Sequence, residues 1–192
     1  VALNLPNTTS ASSGVITYGG NRFLHNYGTA NNIFLGNIAG NVTNTGTGNV
    51  GIGGTSLSVI GSGNYNVGVG HSSLRSLTTG GYNVAIGSNA GSLITTNSNN
   101  VAVGADTLQY IGTTGNNVAI GRYAMQGTSS SVLTNGGCIA IGYETLRGIS
   151  GGAHTQIAIG NMALRYIGQA YGNVAVGPNA GQYIGGNYNI LI

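Results

Sequence analysis

The sequence Asn83-Val84-Ala85-Ile86-Gly87 decides the fold, because variants of this pentapeptide recur along most of the chain. The recurrences end at Gly36, Gly53, Gly70, Gly87, Gly104, Gly121, Gly142, Gly160 and Gly177, and a tenth unit begins at Asn189. The steps between these glycines are 17, 17, 17, 17, 17, 21, 18 and 17 residues. A fixed period of this length is typical of a β-solenoid, whereas helical repeats need about 33 residues or more.

Each repeat contains two short apolar pieces. In the first, Val84 and Ile86 flank Ala85, and this alternation is the period of a β-strand. The second piece begins three residues after the glycine and includes Leu108 and Ile111 in one of the repeats. Turn-forming residues separate the repeats. We therefore predict an all-β protein, a parallel β-solenoid of about nine 17-residue coils with two strands and two turns in each coil.

The repeats divide the chain into two regions. The β-roll repeat domain runs from residue 31 to residue 192, and its last coil is truncated. Residues 1–30 have no repeat register, and we interpret them as an N-terminal cap or joining segment.

Stacked coils place equivalent residues about 4.8 Å apart, so each position of the repeat forms a column. We predict that the branched residues, such as Val84 and Ile86, point into a dry core. The asparagine that opens the repeat should form a ladder of stacked side-chain amides. The members of this structural ladder are Asn49, Asn66, Asn83, Asn100, Asn117 and Asn173.

The opposite face of the first strand carries small residues, although a strand that faces solvent usually carries Thr, Lys, Glu or Ser. We therefore predict that another chain packs against this face and that the protein is an obligate oligomer around a shared axis. The predicted oligomer-contact column is Ala85, Ala102, Ala119, Ala140, Ala158 and Ala175.

The pattern Asn-Val-Ala-Ile-Gly-x-x-Ala resembles the head-domain repeats of trimeric autotransporter adhesins, which are also found in related bacterial surface proteins and phage tail fibres. The clearest matches are Asn83–Gly91, Asn117–Met125 and Asn173–Gly181, and the resemblance covers roughly residues 31–192. It implies a left-handed parallel β-roll, three chains around a threefold axis, and attachment to cells or extracellular matrix. The chain departs from the pattern at Cys138 and Gln156, which replace the ladder asparagine.

The resemblance leads us to expect an extracellular or cell-surface structural and adhesive module, a homotrimeric rod that attaches to cells, matrix or surfaces. A phage tail-fibre segment that binds a receptor is one alternative, and a subunit of an extracellular filament joined end to end is another. In each case the chain partners with itself, and the sequence does not identify the host-cell, matrix or glycan ligand. The turns at 127–137 and 148–155 break the period, so we expect them to carry specificity.

Composition argues against several other functions. The chain of 192 residues has 5 basic and 2 acidic side chains, and Asp106 and Glu144 are its carboxylates. We therefore expect no enzyme, no catalytic residue, no metal site and no cofactor. The arginines are scattered, which argues against nucleic-acid binding, and no apolar run reaches the roughly 18 residues of a membrane span.

Two columns are candidate binding surfaces. Repeated arginines would present positive charge to sulfated or sialylated glycans, and the alternative is a solvated outer face. Repeated tyrosines would stack on sugars or anchor a protein partner, and the alternative is that they stack on each other. The arginine column is Arg75, Arg147 and Arg165, and the tyrosine column is Tyr110, Tyr166 and Tyr183.

Overall fold

The structure is a computed structural model that describes residues 15–27, 31–112, 115–127, 136–148, 155–168 and 170–192. None of these residues is helical. Their strands are short, and most have three residues because each coil turns immediately after its glycine. The strands are β1 Ile16–Tyr18, β2 Asn21–His25, β3 Ile33–Leu35, β4 Val50–Ile52, β5 Val67–Val69, β6 Val84–Ile86, β7 Val101–Val103, β8 Val118–Ile120, β9 Ile139–Ile141, β10 Ile157–Ile159, β11 Val174–Val176 and β12 Ile190–Leu191.

The strands of successive coils form one sheet in chain order, from β1 to β12. From β3 onward neighbours are parallel, and Val84 pairs with Val67 on one side and Val101 on the other. The register therefore shifts by one repeat at each step and never slips. The prediction of an all-β parallel solenoid with coils of about 17 residues is confirmed, with about 8 turns rather than nine.

The second apolar piece of each coil is not a strand, so the prediction of two strands in each coil was wrong. Leu74 has a φ of 48° and Ser72 a φ of 58°, and equivalent residues in other coils have similar values. Such left-handed backbone costs roughly 1–2 kcal/mol for a residue other than glycine. Leu74 is fully buried and its N–H donates to the carbonyl of Ala90 in the next coil at 3.0 Å. Burying the leucine contributes about 1.5–3 kcal/mol, which offsets the strain.

The strand faces are inverted relative to the prediction. Ala85 and its equivalents in the predicted oligomer-contact column are at most 1% exposed and belong to the interior of a single chain. Ile86, which was predicted to be core, is 43% exposed. The cause is the narrow interior of the coil, since a Cβ at Gly68 in the alanine column would lie 2.7 Å from the Ser56 hydroxyl. Beneath β4 to β11 the central residue of each strand is therefore Gly or Ala, and the branched residues lie outside. Only the end strands carry a large residue in this column, Phe34 in β3 and Leu191 in β12.

The interior is completed by the second apolar piece, whose large side chains fill the space opposite the alanines. Each coil contributes up to two of them. The fully buried members include Leu57, Ile60, Leu74, Leu77, Ile94, Leu108, Met125, Leu146, Leu164 and Ile167.

The buried asparagines hydrogen-bond from coil to coil. The backbone N–H and the side-chain amide of Asn66 both donate to the Asn49 Oδ1 atom at 3.0 Å. The amide of Asn66 also donates to the carbonyl of Gly80 at 2.9 Å. The same pattern joins Asn83, Asn100 and Asn117, so the polar atoms of this ladder are satisfied inside the coil.

The glycine that ends each strand has no room for a side chain. Gly87 has a φ of 134°, and a Cβ there would lie 2.5 Å from the carbonyl oxygen of Gly104 in the next coil. The coils therefore stack backbone to backbone at this corner, which explains why the repeat always has glycine here.

A hairpin covers the first coil. β1 pairs with β2, and β2 pairs with β3, in both cases antiparallel. Phe34 of β3 is fully buried, and its ring lies 5.0 Å from that of His25. Residues 16–25 therefore extend the sheet at the first coil, whereas the division at residue 30 stays a prediction. Residues 1–14 and 28–30 lie outside the described residues.

His25, the last residue of β2, is held in its neutral form. Its Nε2 lies 2.7 Å from the Ala39 carbonyl oxygen, and the Tyr27 N–H approaches its Nδ1 at 3.3 Å. The neutral ring satisfies both contacts by donating from Nε2 and accepting at Nδ1. Burial lowers the pKa of His25, the Arg22 charge lowers it further, and the hydrogen bond to Ala39 opposes both effects.

We predict that acidification lowers the free energy of unfolding through protonation of His25. Between the lowered pKa of the folded state and 6.5, the unfolded chain binds more protons, so stability rises with pH in this window. The contribution of His25 to the free energy of unfolding is complete above pH 6.5 and declines as the pH falls toward the pKa of His25 in the folded state. Denaturant unfolding at several pH values measures it, and His25→Gln is the matched variant. An equal decline in His25→Gln would show that another group is responsible.

Candidate functional site

The most extensive candidate surface is the outer face of the parallel sheet, which we call the outer strip. It consists of the first and third residues of β4 to β11, and all of these side chains are Val or Ile. Six are exposed by more than a third, and the others are half-buried. Strand spacing makes the strip about 40 Å long and about 10 Å wide, roughly 400 Å². The exposed members are Ile52, Ile86, Ile120, Ile141, Ile159 and Val176.

Tyrosines border part of the outer strip. Tyr65 and Tyr82 directly precede ladder asparagines, and their rings stack with centroids 5.2 Å apart. Tyr65 lies over Gly48 of the preceding coil, where a Cβ would approach the ring to 2.6 Å. Both tyrosines are more than half exposed, so they extend the apolar surface beyond the strip.

The predicted arginine column is not a row of free positive charges. Arg75 is exposed, but Arg147 and Arg165 both form ion pairs with Glu144. The Arg165 Nη2 atom lies 2.5 Å from Glu144 Oε2, and Arg147 contacts the other carboxylate oxygen. Glu144 is 4% exposed, so a buried carboxylate neutralises part of the positive charge that was predicted to bind a glycan.

Aromatic rings hold the same arginines from the other side. The Arg147 guanidinium lies 4.8 Å from the centroid of Tyr123, and that of Arg165 lies 4.6 Å from Tyr166. Arg122 also packs on Tyr123, at 4.5 Å, and donates to its hydroxyl at 2.6 Å. Cation–π contacts of this kind stabilise by about 0.5–2 kcal/mol each. These residues therefore contact mainly one another, and we call them the Glu144 cluster. Its members are Arg122, Tyr123, Glu144, Arg147, Arg165 and Tyr166.

The tyrosine column is split by two coils that have glycine at this position. Tyr166 and Tyr183 stack with centroids 5.4 Å apart, so these rings cover one face of each other. Tyr110 is half-buried and lies three coils before Tyr166, and Gly148 lies directly beneath the Tyr166 ring. The column therefore does not form one continuous aromatic platform.

The two carboxylates have unrelated surroundings. Asp106 Oδ1 accepts a hydrogen bond from the Asn89 amide at 3.0 Å, whereas Glu144 is buried between arginines. Within the described residues, no group of three or more His, Cys, Asp or Glu side chains is arranged to hold a metal ion. Burial raises the pKa of the Cys138 thiol, so its reactive thiolate is disfavoured.

Sequence reasoning missed the buried ion-pair cluster and placed the apolar strip on the wrong face. The cluster had a signal, since Glu144 precedes Arg147 by three residues and Arg165 occupies the position of Arg147 in the next coil. The two long turns were predicted to carry specificity, and residues 128–135 and 149–154 of them lie outside the described residues.

Comparison with protein-family models, with curated proteins and with solved structures finds no match for this chain. In the part of the chain that the structure describes, no helix has the length and apolarity to cross a membrane.

We predict that Glu144→Gln destabilises the protein by about 2 kcal/mol, because two partly buried arginines lose their counter-charge. The loss is smaller than for a fully buried pair, since the side chain of Arg147 is 33% exposed. Urea unfolding at neutral pH measures the change.

Asp106→Asn is the matched control, because it keeps an oxygen acceptor for Asn89 and breaks no ion pair. We expect it to change stability by less than about 0.5 kcal/mol. Equal effects of the two substitutions would contradict a structural role for the Glu144 cluster.

Proposed function

We propose that this chain is an extracellular structural and adhesive module that works as a homotrimeric, left-handed β-roll rod and attaches to cells, matrix or surfaces. The observation that carries the proposal is the outer strip, an uninterrupted band of Val and Ile along the length of the solenoid. The resemblance to the head repeats of trimeric adhesins supplies the class of function.

The outer strip favours assembly because its apolar side chains are costly to leave in water. Burial of apolar area stabilises by about 25 cal/mol per Å², so covering roughly 400 Å² contributes about 10 kcal/mol per chain before the cost of association. The largest apolar patch on a monomeric protein is commonly about 300–600 Å² and is often functional. A straight strip of one residue type, with no charged side chain in it, suits contact with another copy of itself.

A threefold arrangement uses this geometry well. Three parallel rods can turn their strips toward one axis, and each strip then contacts two neighbours along its whole length. Flanking residues such as Tyr65 and Tyr82 extend the area beyond the strip, which alone is smaller than a typical stable interface of about 800 Å² per partner. The contact surface is the Val and Ile face, and this replaces the alanine column that the sequence suggested.

The attachment role follows from what the assembly leaves outside. With the strip covered, each rod displays its turn residues, and the same position is presented again about every 4.8 Å. Repetition allows weak contacts to add up through multivalency, which suits adhesion to cells or matrix. Backbone stacking at every coil keeps this display rigid, as an extracellular rod requires.

The assembly is tested by introducing charge into the outer strip. We expect the unmodified chain to run as a trimer of about three times its 19.1 kDa mass by light scattering. Ile86→Lys combined with Ile120→Lys should convert it to smaller species, because burying two lysines costs several kcal/mol. Thr79→Lys, at an exposed turn position, is the control for added charge.

Attachment is measured in parallel with beads that carry the chain, on cultured cells and on immobilised matrix proteins. We expect the trimer and the Thr79→Lys variant to adhere at least tenfold better than the strip variant. A monomeric unmodified chain would contradict the assembly, and trimers that adhere to none of these surfaces would contradict the adhesive function.

A further inference from the structure

We infer that a cleft beside the β1–β2 hairpin binds the carboxylated ring of an acidic sugar. The cleft, which we call the hairpin cleft, has a volume of about 300 Å³. Its walls are Tyr18, Gly19, Asn21, Arg22, Phe23 and Asn37. This inference deepens the proposed attachment function by naming a ligand class, and for its biological role it rests on that function.

One wall of the hairpin cleft is aromatic and exposed. Tyr18 of β1 is 81% exposed, and Phe23 of β2 is 44% exposed. Their rings are tilted by 55° with centroids 6.4 Å apart, so neither ring covers the other. Open aromatic faces of this kind pack well against the apolar C–H face of a sugar ring.

The hairpin cleft also contains Arg22, a positive charge without a counter-charge. Arg22 donates one long hydrogen bond of 3.4 Å to the carbonyl of Gly40, and its buried Nε has no partner within the described chain. A guanidinium has five N–H donors, so most of its hydrogen-bonding capacity is not used.

The carboxylates of the chain lie too far away to compensate Arg22. Asp106 lies in the fourth coil beyond the one that contains Gly36, about 19 Å along the rod at the usual strand spacing. Glu144 is two coils farther on and already pairs with two arginines. Screening at physiological salt acts over about 8 Å, so neither carboxylate offsets the charge in the cleft. An anionic ligand is the natural complement, and a carboxylate matches the fork of an arginine.

The size of the hairpin cleft and its two amides suit a sugar ring with its hydroxyl groups. A volume of about 300 Å³ is at the lower end of small-molecule sites, which suits one ring and not a folded peptide. Asn21 and Asn37 add two amides at the same cleft, and each amide both donates and accepts hydrogen bonds. An apolar wall, an anion site and paired amides together match a hexuronic acid better than a bare inorganic anion, which would not use the aromatic wall.

The test compares two probes that differ only at C6, methyl β-glucuronide with a carboxylate there and methyl β-glucoside with a hydroxymethyl group. Each is titrated into the full chain at neutral pH and low salt, and binding is followed by NMR. We expect millimolar binding of the glucuronide and at least tenfold weaker binding of the glucoside. Arg22→Gln and Phe23→Ala should each weaken glucuronide binding at least tenfold. The control Arg122→Gln, at an exposed arginine far from the cleft, should leave it unchanged.

Circular dichroism checks that each variant is folded, and Asn37→Ala at an exposed position is the substitute if Arg22→Gln does not fold. Equal binding of the two probes, no binding of the glucuronide, or unchanged binding by Arg22→Gln would overturn the inference. Inorganic phosphate that binds as tightly as the glucuronide and is unaffected by Phe23→Ala would reduce the cleft to a general anion site and overturn the sugar assignment. Trimers that still adhere while the glucuronide does not bind would overturn this site alone and leave the proposed function standing.

Discussion

The structure depends on the hydrogen bonds that each coil makes to the next in an unchanging register. Strand residues pair one repeat apart, and the ladder asparagines join the same coils through their side chains. Because these bonds fix every repeat position into a column, a property of one residue becomes a property of a whole face of the rod. Gly87 shows how tightly the coils stack, since its neighbour in the next coil leaves no space for a Cβ.

The close stacking of the coils also leaves the interior beneath β4 to β11 too narrow for branched side chains. Ala85 and Asn83 fit there, and Leu74 fills the space from the opposite wall. Val84 and Ile86 are therefore displaced to the outside, where they form the strip on which the proposed trimer depends. We propose that this face, which contributes least to the stability of a single chain, is the surface through which the chains assemble.

The sequence was sufficient to predict the period, the one strand that each coil has and the asparagine ladder, because each depends on local pattern and on stacking. It also predicted a second strand in each coil, which the structure does not have. It did not predict which strand face points inward, since alternation defines two faces and says nothing about the volume between the walls. Gly51 and Gly68 in the alanine column were the available signal of a narrow interior. The left-handed conformation of Leu74 was also missed, because leucine has no preference for it and only stacking of complete coils imposes it. At the candidate site, repeat position identified the arginines, but the neutralising contact of Glu144 depends on side-chain packing between coils.

The central claim is that the alanine column lies inside each chain and the Val and Ile columns lie outside. Chemical labelling of single cysteines tests it directly, with Ala119→Cys and Ile120→Cys each placed in a Cys138→Ser background. We expect the thiol at position 120 to be protected in the assembly and to react with a maleimide when dilution separates the chains. The thiol at position 119 should react only after unfolding. Rapid labelling at position 119 in the separated, folded chain, together with protection at position 120, would contradict the account.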